Sequence, residues 1–233
     1  MLLTLSALES KTGRGVRVAV IDSGVHASHP HVQGVWGGLG IDDEGREHDD
    51  FVDRLGHGTA VAAAIREKAP DAELYAIKVF DRDLRSTGKA LVAALRRARE
   101  ASARVANLSL GTTNPAHEAD LGRAVAEARA AGTLVVAAGA QDATRWLPGA
   151  LPGVVAVTMD MRVPRDACEI TVLDDAVAVV ACGYPRPIPG VPPERNLQGI
   201  SFAVANASGL LARLLEGTPP GATISDLLRQ TQK

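Results

Sequence analysis

The sequence predicts an α/β fold, a mostly parallel central sheet with helices on both faces, and three observations carry the prediction. Runs rich in Val and Ile recur along the 233 residues, helical stretches separate several of them, and aromatic residues make up only 3% although 46% of the chain is hydrophobic. With so few aromatics the core has to come from Ala, Val and Leu, side chains that let helices lie close against a sheet. Alternating strand and helix is the rhythm of a parallel sheet covered on both sides.

The elements follow in order. The apolar opening LLTLSAL predicts an amphipathic first helix rather than a signal peptide, because no basic segment precedes it and no small-residue cleavage site follows. VRVAVI (16–21), bounded by Gly13 and Gly15 before it and by Asp22, Ser23 and Gly24 after it, predicts a buried strand ending in a turn. AVAAAI after His57 reads as helix, and LYAIKV (74–79) as the next strand. Ser86 and Thr87 give a helix start signal, with Leu91, Leu95 and Ala98 following on one face. RVANLSL (104–110) is a strand, and Leu121, Val125 and Ala128 mark a helix that stops at Gly132. TLVVAA (133–138), VVAVT (154–158) and VAVV (177–180) are further strands. Pro185, Pro187, Pro189, Pro192 and Pro193 make 182–199 a surface loop, since proline lacks the amide donor that a helix or central strand needs. A final helix is expected over 201–215. No repeat or linker divides the chain, so residues 1–233 are expected to form one domain.

Composition also excludes functions. A charged fraction of 22% with a net charge of -2 is neither the profile of a disordered chain nor a surface that attracts nucleic acid or an anionic membrane. No apolar run approaches the roughly 18 residues that span a bilayer. Cys168 and Cys182 are too far apart for a CxxC pair and too few for a disulfide framework, so they are read as thiols of a reducing compartment, the cytoplasm. His26, His29 and His31, and the acidic run from Asp42 to Asp50, lack the helical pair of a zinc site and the glycine spacing of a calcium loop. They read as solvated loops, and neither a metal nor a cofactor is expected. Asp83 stands where a phosphate loop before Ser86–Lys89 would need its first glycine, and Arg96, Arg97 and Arg99 read as a solvated helix face.

Chemistry concentrates in VIDSGV with Asp22, GHGTAVA with His57 and GISFAVA with Ser201. A serine hydroxyl is a weak nucleophile at neutral pH; it needs an imidazole to take its proton and a carboxylate to fix the ring's tautomer. Each residue alone reads as a turn, a loop or a cap. Together, in the chain order Asp, His, Ser, with the serine last and in GxSxA rather than GxSxG, they predict a catalytic triad.

On these segments the chain resembles the subtilisin-like serine peptidases, or subtilases, over nearly its whole length. The resemblance implies a three-layer fold of the subtilisin type and an endopeptidase acting on a peptide or protein substrate. It implies that NLSLG (107–111) is a substrate-binding edge strand, with Ser109, Leu110 and Gly111 pairing with an extended peptide and Ala137, Ala138 and Gly139 forming the opposite wall.

Departures from the family pattern set further expectations. Ala140 replaces the asparagine that donates to the oxyanion, Ile200 replaces the threonine before the serine, and Ala205 replaces a proline. The hole is expected to be weakened unless Gln141 or a partner subunit supplies the missing donor. The strand bearing Asp22 begins near residue 16, which leaves no room for a pro-domain, and only REKAPDAE separates AVAAAI from LYAIKV, which leaves no calcium loop there. A narrow-specificity peptidase that processes a precursor peptide is the first reading. A pseudo-protease that binds a peptide or partner without cutting is the alternative.

Overall fold

A computed structural model describes residues 1–140, 144–174 and 176–230. The strands are β1 (Leu2–Thr4), β2 (Arg17–Asp22), β3 (Gly37–Ile41), β4 (Glu47–His48), β5 (Glu73–Lys78), β6 (Val105–Leu108), β7 (Leu134–Ala138), β8 (Val154–Met159), β9 (Ala167–Leu173) and β10 (Ala176–Ala181). The helices are α1 (His57–Lys68), α2 (Gly88–Glu100), α3 (Glu118–Ala130), α4 (Ile200–Leu215) and α5 (Ile224–Gln230).

All ten strands join one sheet in the order β1-β9-β10-β8-β7-β6-β2-β5-β3-β4. Every pairing from β10 through to β3 is parallel, and only the outer pairs β1–β9, β9–β10 and β3–β4 are antiparallel. Successive side chains of a strand point to opposite faces, and the central strands are apolar on both. Val18 and Val20 of β2 join the core beneath α1 and α4, whereas Ala19 and Ile21 join the core beneath α2 and α3. This two-sided burial is the three-layer arrangement expected of the subtilisin type. Small residues bring the two helices close: Ala62, Ala63 and Ala64 of α1 and Ala203, Ala205 and Ala207 of α4 lie in the same core, and a Cβ on Gly209 of α4 would lie 3.1 Å from Ile65 O of α1.

The opening segment differs from expectation. Leu2–Thr4 is a strand, followed by a single 3-10 turn over Ser6–Leu8, and there is no amphipathic helix. Pairing of Leu3 with Cys168 covers the β9 edge and buries Leu3 completely. NLSLG also differs: β6 stops at Leu108 and lies between β2 and β7, so Ser109, Leu110 and Gly111 project beyond the end of a central strand. The arginine face of α2 is only partly solvated. Arg96 is exposed, but Arg97 donates to Tyr75 Oη at 3.1 and 3.0 Å and Arg99 to Glu127 Oε2 at 2.8 Å.

Candidate active site

Asp22 is the last residue of β2 and fully buried. Its Oδ1 accepts a hydrogen bond from the Ser23 amide and lies 2.7 Å from His57 Nδ1. A proton on Nδ1, donated to the carboxylate, leaves Nε2 with its lone pair free to act as a base. His57 is the first residue of α1. The helix can begin so close to the strand because the next residue is Gly58: a Cβ there would lie 2.2 Å from Gly24 O and 3.2 Å from the Asp22 Cβ. Burial opposes a charge on the His57 ring, but the hydrogen bond and charge of Asp22, with a contribution from Asp53, hold its pKa above the ordinary value.

Behind this pair stands a residue that the sequence reading missed. Asp53 Oδ1 accepts from Ser23 Oγ, Leu55 N and Gly56 N, each at 2.9 Å, and Oδ2 accepts from Thr59 N at 2.8 Å and Thr59 Oγ1 at 2.6 Å. Ser23 Oγ in turn accepts from Gly58 N at 2.9 Å. Asp53 therefore satisfies amides at the start of α1, which have no partner within a helix, and ties that helix to the turn after Asp22. Burial works against its ionisation, yet the bonds from Thr59, Gly56 and Ser23 outweigh it and hold its pKa below the ordinary carboxylate value. An aspartate shortly before a predicted helix start is the signal that would have found it.

Ser201 is the second residue of α4 and half-buried. Gly199 precedes the helix at φ 152° and ψ 174°, a region open essentially to glycine alone. The Ser201 hydroxyl donates to Ser109 O at 3.4 Å, and Ser109 Oγ donates to Ser201 O at 3.3 Å. The ring of Phe202, the neighbouring residue, lies 5.9 Å from the His57 ring between centroids. The chain thus joins Asp22 to His57 directly and ties Ser201 to Ser109. Among the described residues, the Ser201 hydroxyl is hydrogen-bonded to that carbonyl and not to the imidazole. Buried Asn107 anchors the arrangement: Ser208 Oγ of α4 donates to its Oδ1 at 3.0 Å, and its Nδ2 donates to Ser109 Oγ at 3.2 Å.

Leu110 and Gly111 line a cavity of about 610 Å³ that extends to α2. Ala137 is fully buried on the α2–α3 face, Ala138 ends β7, and Gly139 N donates to Val157 O at 2.7 Å. Ala140 is exposed and Ile200, first in α4, is half-buried. Gln141 lies outside the described residues. Among the described residues no group of three or more His, Cys, Asp or Glu could hold a metal ion, and no helix is long and apolar enough to cross a membrane. Both cysteines are buried free thiols, and burial pushes the Cys168 thiol up to about 12.

Comparison with known proteins gives a consistent picture. Subtilisin DY of Bacillus licheniformis is 31% identical over 229 residues, covering 89% of this chain and 79% of that protein. An intracellular serine protease of Paenibacillus polymyxa is 32% identical over 221 residues, 86% of this chain and 66% of its own. Subtilisin BL of Lederbergia lenta is 39% identical over 136 residues, 54% of this chain, which spans about half (48%) of that relative's length. Among solved structures, a lanthipeptide protease matches with a TM-score of 0.70 at 19% identity, over 96% of this chain and 81% of that one. A cold-adapted subtilisin-like serine proteinase matches with a TM-score of 0.70 at 22% identity, over 93% and 81%. These two likenesses concern the fold. The subtilase family profile matches residues 13–232, and the chain belongs to the subtilase family.

Proposed function

We propose that the protein is a serine endopeptidase in which Ser201 attacks the scissile carbonyl, His57 takes and returns the proton, and Asp22 holds the imidazole. The observation that carries this reading is the 2.7 Å contact between Asp22 Oδ1 and His57 Nδ1, with the ring of Phe202, next to Ser201 in the first turn of α4, 5.9 Å from the His57 ring between centroids. Rotation of the Ser201 side chain from its long bond with Ser109 O toward the imidazole completes the relay; catalytic hydrogen bonds are often loose before substrate binds. The anion of the tetrahedral intermediate is stabilised by the Ser201 main-chain N–H and the positive end of α4.

Neither Ala140 nor Ile200 offers a side-chain donor to that anion. An enzyme with such a hole depends on binding energy gathered along the rest of the substrate, which favours a narrow-specificity peptidase that trims a precursor peptide over a general one. The relative named an intracellular serine protease and the two buried free thiols support a cytoplasmic setting. A donor from Gln141 or from a partner subunit belongs to the same proposal. The apolar hole and the Ser201–Ser109 bond also favour a second reading, a peptide-binding pseudo-protease.

A fluorophosphonate probe followed by intact mass separates the two. We expect one adduct on Ser201 that disappears in Ser201→Ala and falls sharply in His57→Ala. An unlabelled native protein assigns the chain to the pseudo-protease.

A further inference from the structure

We propose that Asn206, five residues beyond the nucleophile in α4, is a positioning residue: its side-chain amide seats the start of that helix and so aims the Ser201 main-chain N–H at the oxyanion. The proposal rests on the peptidase reading above and deepens it.

No side chain caps the start of α4. Gly199 stands at the cap position, and Ser201 lies in the first turn, whose amides have no partner within the helix. The backbone of Gly199 holds the turn instead: its N–H donates to Gly183 O at 2.9 Å, and its carbonyl accepts from Phe202 N at 3.1 Å. The two glycines approach closely, since a Cβ on Gly183 would lie 3.1 Å from Gly199 O. Where Gly183 sits therefore decides where Ser201 points.

Asn206 fixes Gly183 from the other side. It is fully buried, and its Nδ2 donates to both neighbours of that glycine, to Cys182 O at 2.9 Å and to Tyr184 O at 3.0 Å. Two carbonyls can be faced only by the NH2 end of an amide, which settles the orientation of the group. The body of α4 thus grips residues 182–184 through the outer two carbonyls, and the middle carbonyl holds the start of the same helix. Both ends of this brace belong to one rigid element. Arg165 Nε adds a donor to Tyr184 O at 3.3 Å, but from outside α4. Asn206 Oδ1 has no hydrogen-bond partner among the described residues. An unpaired buried acceptor costs stability. An apolar side chain of the same size would avoid that cost; what it could not supply is the double donor.

The brace matters because of what the hole lacks. With no side-chain donor from Ala140 or Ile200, the Ser201 N–H carries the stabilisation, and a misplacement of about 1 Å at a reacting group costs about a hundredfold in rate.

Asn206→Leu, of similar size without the donor, and Asn206→Ser, too short to reach both carbonyls, test the assignment. We expect kcat to fall about ten- to a hundredfold in each, with KM within about twofold of native. A peptide aldehyde, which adds Ser201 Oγ at its carbonyl carbon and places an oxyanion in the hole, is expected to bind each variant about tenfold or more weakly than native. The amide of the same peptide is expected to bind all three proteins alike. A residue that only anchored the loop would weaken both ligands or neither. Native kcat in either variant, or equal losses for aldehyde and amide, overturns the proposal.

A second measurement is independent of turnover. Hydrogen exchange of the Gly199 amide, followed by NMR, is expected to be slow in the native protein and about tenfold or more faster in both variants. Exchange at the native rate overturns the brace even if the peptide is cut. A native protein that neither cuts the peptide nor takes the fluorophosphonate overturns the peptidase reading instead, and the Gly199 exchange then decides by itself whether Asn206 seats the start of α4.

Discussion

In the proposed peptidase, Ala140 takes the place of a side-chain donor to the oxyanion, and this one position sets the ceiling of the proposed chemistry. Loss of a single side-chain donor from an oxyanion hole of the subtilisin type costs about 10² to 10³ in turnover. Ala140→Asn is accordingly expected to raise kcat by one to three orders of magnitude, roughly the reverse of that loss, with Ile200→Thr helping less; steady-state hydrolysis of one peptide by both variants checks it. The histidine gives a second prediction. Its folded-state pKa is raised above 6.5, and only the neutral ring accepts the serine proton, so the acid limb of kcat/KM has its midpoint above that value. Asp53 contributes to the raised value, so Asp53→Asn shifts the midpoint to lower pH. The sign for stability runs the other way. A raised histidine pKa stabilises the fold fully below the unfolded value and ceases to as pH climbs through the folded one. The imidazole thus supports the fold most where it is charged and unable to act as a base. The three candidate residues were picked out in the sequence by their combination in the order Asp, His, Ser, since each alone reads as a turn, a loop or a cap. Asp53 was not, because a lone aspartate in a loop reads as a turn residue until its five donors are seen.

Between single residues and the fold, the site depends on how β6 and α4 are joined. The link is the run of hydrogen bonds from Ser208 through Asn107 to Ser109 and on to the Ser201 carbonyl, anchored at a fully buried side chain. Asn107→Ala leaves the Ser208 hydroxyl without its acceptor, and an unsatisfied buried polar group costs about 1 to 3 kcal/mol. We expect a stability loss of that size in denaturant titration, and kcat falling more than KM rises, because the variant loosens the nucleophile's seat. The sequence pattern located β6 through its apolar run but extended it two residues too far. Ladder pairing with β2 and β7 ends at Leu108, and from there the backbone turns toward α4. Helix α2 was readable at its start, since Thr87 accepts from Ala90 N at 3.2 Å as an N-cap. The short strands β3 and β4 were not. Gly37, Gly38 and Gly40 make β3 a poor strand by propensity. Their lack of side chains lets it pass close to β5 and the following loop: a Cβ on Gly38 would meet Ala76 O at 2.8 Å, and one on Gly40 would meet Asp50 O at 2.5 Å.

Across the whole molecule, the parallel block was legible because its strands are apolar on both faces, a pattern that only a sheet covered by helices on both sides satisfies. The edges were harder. LLTLSAL has the composition of a helix and becomes a strand because β9 leaves an open edge beside it, a tertiary fact that no local pattern encodes. The architecture brings three remote residues to one end of the sheet: β2 ends at Asp22, α1 starts at His57 against that end, and α4 presents Ser201 beside Ser109. If they act as one machine, their contributions cannot be independent. The direct test is kcat/KM on a single peptide for the native protein, Ser201→Ala, His57→Ala and the double variant. The account predicts that each single change costs as much as both together, several orders of magnitude in rate. Losses that multiply independently, or hydrolysis that persists in purified Ser201→Ala, would contradict it.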